Sequence, residues 1–297
     1  MKIKCDDFNL AATLDCGQVF GFTPDGNGRY EGILLGHPVK ISQKNGYLNV
    51  QNGLTDLSVD IVRHYFDLDF DLSPVYAHLQ DVVGAGLVPA QMGDPKGRPY
   101  GVWFGRYRGL RIIRQDPWEA LACFIISSNN NVKRIMGIYR NLLQHFRKFP
   151  SPVQIARCHE SVLREAGLGY RAPFLWSTAV FLSNNSDYLK TIRDSEYEEA
   201  RERVLAFPGI GPKVADCVLL YGFHKLEAFP VDVWISRVMR RLYFRNRSVP
   251  EDKVCRFGMK RWGINAGYVQ QYLFHSVRMG VYDILPTSGR KKSHERI

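Results

Sequence analysis

Three side chains in the stretch Leu205 to Trp234 have types and spacing that suit attack on an electrophilic carbon. Lys213 follows Phe207-Pro208-Gly209-Ile210-Gly211-Pro212 and sits at the first turn of a helical pattern over Val214 to Tyr221. The positive end of that helix disfavours a second positive charge, so the lysine pKa is expected to fall. A neutral amine attacks an electrophilic sugar carbon and forms a Schiff base. A lysine in a basic protein also grips phosphate as a point charge, and the residues alone leave both roles open. Asp232 lies nineteen residues on, in Pro230-Val231-Asp232, just ahead of the helical pattern Val233 to Leu242. An aspartate there is a helix N-cap, and capping is expected to keep it ionised and available for catalysis. Cys217 is four residues past Lys213 and shares its helix face.

The elements that must position these groups are legible nearby. A helical pattern over Glu196 to Leu205 is stopped by Pro208, and Gly209 and Gly211 permit a tight turn with no side chain in the way. The next helix then opens, near Val214, with amide groups that have no partner inside it, which suits a phosphate. The same pattern also reads as an ordinary αα-hairpin. Further back, Asp116-Pro117-Trp118-Glu119 is a helix start with a capping box, and Trp118 to Ile126 is apolar nearly all round. It ends in Ser127-Ser128-Asn129-Asn130-Asn131, with Arg134 one turn on. These are either a cap and loop or amides aimed at base edges. Gly167-Leu168-Gly169-Tyr170-Arg171 is a glycine turn with an exposed Tyr–Arg pair, or a helix start. In the final helix, Ala266 to Phe274, Gln270 and Phe274 lie four apart on one face.

Bulk properties narrow the partner. Forty Lys plus Arg against twenty-nine Asp plus Glu give a net charge of +11, which favours a polyanion, and no lipid-anchor motif points to a membrane. Six scattered cysteines without a Cys-x-x-Cys argue against a zinc or iron–sulfur site and fit a reducing compartment. Met1 to Asp7 lacks the apolar core of a signal peptide. With no organelle-targeting extension in view, a bacterial cytoplasm and association with the nucleoid are expected, or a nucleus if the source is eukaryotic. Arg237, Arg240, Arg241, Arg245 and Arg247 form a basic run that suits phosphates or plain solvation.

The fold expected is α+β: an N-terminal antiparallel sheet domain over 1–113, a mostly helical domain over 114–285 and a basic tail over 286–297. Runs at Val19–Phe22, Tyr30–Leu35, Val39–Ser42 and Tyr47–Val50 alternate with turn sequences and read as strands. Gly17, in Cys16-Gly17-Gln18-Val19-Phe20, reads as a turn glycine. Helices follow at Val59–Phe66 and Pro74–Leu79, and Leu110 to Ile113 is strand-like. Residues 82–101 hold five glycines and three prolines and read as a disordered inserted loop.

Pro208-Gly209-Ile210-Gly211-Pro212-Lys213-Val214-Ala215-Asp216-Cys217, followed by Pro230-Val231-Asp232, resembles the helix-hairpin-helix and Gly/Pro-Asp signature of base-excision DNA glycosylases. Within that superfamily the chain most resembles the 8-oxoguanine DNA glycosylase/lyases, over residues 8 to 285 apart from the insertion. The resemblance implies that Lys213 attacks the deoxyribose C1′ and Asp232 assists departure of the base. It implies a base pocket built by Gly17, Cys217, Pro230, Gln270 and Phe274, with the Gly17 carbonyl reading the N7–H that guanine lacks. It implies DNA contacts from Asn129, Asn131, Arg134, Tyr170, Arg171, Gly209, Gly211, Val214 and Trp234, and a preference for cytosine opposite the lesion. The lysine marks the branch that also cleaves the strand. No cofactor is implied. The carbonyls of Leu205, Phe207 and Ile210 suit a structural monovalent cation. Double-stranded DNA is the expected partner, and a monomer the expected state. Trp234 and Val277 depart from the family, which often has histidine and aspartate there, and an apolar contact is the expected replacement. A non-catalytic DNA-binding module and a glycosylase for another damaged base are the rival readings.

Overall fold

The computed structural model describes residues 1–53, 57–84 and 105–280. Five antiparallel strands form one sheet in the order β1-β5-β4-β3-β2: β1 Lys2–Lys4, β2 Phe22–Pro24, β3 Arg29–Leu34, β4 His37–Lys44 and β5 Tyr47–Asn52. Asn45-Gly46 makes the β4–β5 turn, both residues with positive φ, as the sequence predicts. Strand β1 and a short helix α1 (Leu10–Asp15, capped by Asn9) are additions to the predicted meander.

Helices α2 (Val59–Tyr65) and α3 (Ser73–Gly84) follow the sheet. Helix α3 runs three residues into the 82–101 segment read as a loop; the rest of that segment, and the 286–297 tail, lie outside the described residues. Leu110 to Ile113 is not a strand. It is buried chain without regular secondary structure, in which the Arg111 guanidinium donates to the carbonyls of Asp7, Asp67 and Phe70.

The helical part comprises α4 (Pro117–Ser127), α5 (Val132–Phe146), α6 (Pro152–Arg157), α7 (Glu160–Glu165), α8 (Ala172–Asn184), α9 (Tyr188–Asp194), α10 (Tyr197–Leu205), α11 (Pro212–Gly222), α12 (Val233–Tyr243), α13 (Glu251–Trp262) and α14 (Ala266–Arg278). Helices α4 and α11 pack together at the centre, both apolar on nearly every face, as burial on all sides demands. Asp116 caps α4 through the Glu119 amide, but the predicted capping box does not close: Glu119 Oε1 instead accepts the Tyr139 hydroxyl at 2.7 Å. The core is shared across the sequence. Ala12, Cys16, Phe20, Leu72 and Leu79 pack into the same apolar cluster as α4, α11 and α14, so the loop carrying Gly17 is tied to the helical part.

Candidate active site

Helices α10 and α11 form the predicted hairpin. Arg201 of α10 holds buried Asp216 of α11 at 2.6 Å, and the Tyr197 hydroxyl donates to the same carboxylate at 2.9 Å. Gly209 has φ +78°, and a Cβ there would lie 2.4 Å from the Phe174 ring, so the turn requires glycine. Gly211 is the N-cap of α11 and offers no capping side chain. The Ala215 amide, to Gly211 O at 2.9 Å, closes the first turn, so the amides of Lys213 and Val214 precede the helix ladder. The carbonyl of Phe207 accepts the Ile210 amide at 3.3 Å and keeps a second lone pair.

Lys213 is half-buried, 5.9 Å above the ring of Phe124, which stacks on Tyr221 with centroids 5.4 Å apart. Its pKa is raised, contrary to the helix-dipole expectation. Cys217, as a thiolate and through a hydrogen bond, pulls hardest on the ammonium; burial opposes this, and Asp232 adds to it. Burial pushes Cys217 up to about 11, so at neutral pH it is a thiol and the Asp232 carboxylate is the anion the ammonium faces.

Asp232 caps α12, accepting the Ile235 amide at 2.7 Å. Its pKa is nonetheless raised, because burial outweighs the amide bond and Lys213. Two residues back, buried Pro230 accepts Nε2 of Gln270 at 3.1 Å. The other end of that amide, Oε1, is buried with no partner among the described residues, an unspent polar group of the kind a ligand satisfies. Gly17 has φ +87°, and a Cβ there would lie 3.7 Å from the Phe274 ring and 3.0 Å from the Arg278 guanidinium. The contacts thus join Gly17 with Phe274 and Gln270 with Pro230, while Lys213 lies in the field of Cys217 and Asp232.

A second cluster surrounds the loop after α4. Asn129 is exposed, with φ +48°. Asn131 caps α5 through the Arg134 amide at 2.9 Å, and the exposed Arg134 reaches Gly167 O at 3.4 Å. Tyr170 is 50% exposed and donates to Ser128 O at 3.2 Å. Arg171 corrects the expectation of an exposed pair. It is buried, its guanidinium donating to the carbonyls of Ser128 and Asn129 and lying 4.3 Å from the Tyr170 ring. Phe174 touches Tyr170 edge-on at 6.3 Å and also fills the space at Gly209, so it links this loop to the hairpin. Trp234 is 39% exposed, with the Arg237 guanidinium 5.4 Å from its ring; Val277 is buried. Phe124 and Tyr221 were missed from the sequence, since no pattern marks them within helices apolar on every side.

Comparison with known proteins bears on this geometry. Residues 1–121 match the 8-oxoguanine DNA glycosylase N-terminal domain, and residues 122–263 match the HhH-GPD superfamily base excision DNA repair protein. A probable N-glycosylase/DNA lyase of Methanothermobacter thermautotrophicus is 32% identical over 331 aligned positions, covering 96% of this chain and 98% of that protein. The chain belongs to the 8-oxoguanine DNA glycosylase/lyases.

The N-glycosylase/DNA lyase of Saccharomyces cerevisiae is 33% identical across 71% of this chain and 64% of its own length. The glycosylase fold also aligns with the crystal structure of the Clostridium acetobutylicum 8-oxoguanine glycosylase/lyase in complex with double-stranded DNA containing cytosine opposite to 8-oxoG. The TM-score is 0.80, with 28% identity, over 94% of this chain and 98% of that one. The 3-methyladenine DNA-glycosylase of Archaeoglobus fulgidus shares the fold at TM-score 0.68 and 21% identity. Among the described residues no cluster of acidic, histidine or cysteine side chains suits a metal ion, and no helix is long and apolar enough to cross a membrane.

Proposed function

We propose that this glycosylase/lyase excises 8-oxoguanine from duplex DNA with Lys213 as the nucleophile, and then cleaves the strand through a Schiff base. The observation that carries this is the electrostatic coupling of Lys213 and Asp232, at the starts of two successive helices, with an unsatisfied glutamine amide bonded to Pro230 two residues from Asp232. The ammonium first gives up its proton to solvent. The amine then attacks C1′ as the bond to the base breaks, and Asp232 stabilises the positive charge on the sugar. Opening of the sugar gives an iminium, loss of a C2′ proton expels the 3′ phosphate, and water frees the lysine.

The base enters a pocket of Gly17, Cys217, Pro230, Gln270 and Phe274, where Phe274 stacks on it and the free Gln270 Oε1 meets its Watson–Crick edge. Asn129 and Arg134, both exposed, suit cytosine on the opposite strand, with Asn131 and Arg171 shaping the loop and Tyr170 standing in for the lost stacking partner. The hairpin at Gly209, Gly211 and Val214 receives a phosphate, its Leu205, Phe207 and Ile210 carbonyls suit a monovalent cation, and Trp234 holds Arg237 toward the backbone. The chain acts as a monomer on chromosomal DNA, in the nucleoid or the nucleus.

The test is borohydride trapping on a duplex with one 8-oxoguanine opposite cytosine, with Lys213→Gln alongside. A covalent adduct absent in the variant supports the Schiff base. Free base released without an adduct shifts the chemistry to Asp232 and water.

A further inference from the structure

Residues Asp15 to Gln18 carry four successive carbonyls, and three are taken. Asp15 O accepts Nη1 of Arg278 at 3.0 Å, Cys16 O accepts Nε2 of Gln271 at 3.0 Å, and Gln18 O accepts Nε2 of Gln115 at 2.7 Å. The buried Gln18 side chain is itself fixed, donating to Thr13 O and Arg111 O and accepting the Ile113 amide. The carbonyl of Gly17 has no partner among the described residues. Gln271 also accepts the hydroxyl of Tyr221, so α11, α14 and this loop form one hydrogen-bonded network beside Phe274.

A glycine at φ +87° has no Cβ to restrain its peptide planes, so their direction depends on flanking bonds. That matters for discrimination. 8-Oxoguanine carries a hydrogen on N7, whereas guanine presents a lone pair there. A fixed carbonyl facing that position accepts from the first and repels the second. A carbonyl free to turn away would lose the bond to one and the repulsion from the other.

We propose that Arg278 and Gln271 are positioning residues that set base specificity, by anchoring the carbonyls of Asp15 and Cys16 and so holding the Gly17 carbonyl as a fixed acceptor for the lesion. This rests on the proposed function of the site. Neither residue bonds to Lys213 or Asp232, so the chemistry on a sugar without a base is expected not to depend on them.

Gln271→Leu leaves the buried Tyr221 hydroxyl without a partner and endangers folding. The solvent-facing Arg278 therefore carries the test, through Arg278→Ala and Arg278→Lys. Three quantities are read: base release from an 8-oxoguanine:cytosine duplex, the affinity ratio of that duplex over its guanine counterpart, and nicking of a duplex with a preformed abasic site. Arg278→Ala is expected to lower both base release and the affinity ratio about tenfold. It leaves abasic-site nicking within about twofold of the parent, and Arg278→Lys restores most of the loss. If nicking falls in step with excision, Arg278 serves phosphate grip or stability and the proposal fails. It also fails if the affinity ratio is unchanged. A parent protein that nicks abasic sites but never releases 8-oxoguanine would overturn the proposed function, and this inference with it.

Discussion

The ammonium of Lys213 stands 5.9 Å from the centroid of the Phe124 ring and within the field of Asp232. An aromatic face attracts a cation by about 0.5–2 kcal/mol, so the ring acts with the Asp232 carboxylate to hold the lysine protonated at rest. The nucleophile is the neutral amine. Because the folded pKa lies above its ordinary value, that amine appears only as pH climbs well past neutral. Single-turnover strand cleavage is therefore expected to keep rising through pH 9, and Phe124→Leu to shift the curve toward lower pH. A plateau near pH 7 would mean that the lysine loses its proton more easily than this surrounding permits.

Phe274 offers a cleaner separation of base recognition from strand chemistry. Its ring packs at Gly17 and is not among the groups that shift Lys213 or Asp232. Base stacking on an aromatic ring is worth about 1–3 kcal/mol, so Phe274→Ala should slow 8-oxoguanine release by about 10- to 100-fold. Nicking of a preformed abasic site should persist. Equal loss in both assays would show that the ring supports the fold rather than the base.

The hairpin turn yields a contrast between its two glycines. Gly209→Ala places a side chain at φ +78° and 2.4 Å from the Phe174 ring, which buttresses Tyr170. The left-handed backbone alone costs about 1–2 kcal/mol, and the displaced ring adds to it. Gly211 has φ −98°, and no described atom lies within 4 Å of where a Cβ would stand, so Gly211→Ala meets no steric penalty and should cost only the weaker N-cap, about 0.5–1 kcal/mol. Thermal melting and duplex binding of the two variants measure this directly. Gly209→Ala should lose on both, and equal behaviour would remove the steric argument.

The sequence made some of this legible and hid the rest for physical reasons. Lys213, Cys217 and Asp232 stand out because proline and glycine mark the helix ends, and a four-residue spacing then fixes the shared face. Phe124 carries no such mark, since α4 is apolar on every side and only the tertiary packing decides which ring meets the lysine. Strand β1 has three residues and exists because β5 pairs with it, a contact more than forty residues away in the chain. Arg171 reads as a surface cation until the carbonyls of Ser128 and Asn129 are brought to it. The Glu119 capping box fails for a similar reason, because a distant hydroxyl from Tyr139 competes for the carboxylate.

That diversion of Glu119 gives the protein a pH-dependent stability. Burial pushes its carboxyl up to about 7, with the Tyr139 hydrogen bond opposing and Asp116 reinforcing the rise. In the unfolded chain the group titrates near its ordinary 4.5. Below that value both states hold the proton and the residue contributes no pH dependence. Between 4.5 and about 7 the folded state keeps a proton that the unfolded state has released, so stability falls as pH rises through that window and levels off above it. The full gap corresponds to about 3 kcal/mol. Glu119→Gln keeps an oxygen for the Tyr139 hydroxyl but cannot ionise. Its melting temperature is expected to match the parent's near pH 4.5 and to exceed it by several degrees at pH 8. Parallel curves for the two proteins would mean that the carboxyl is not buried in the way its bond to Tyr139 implies.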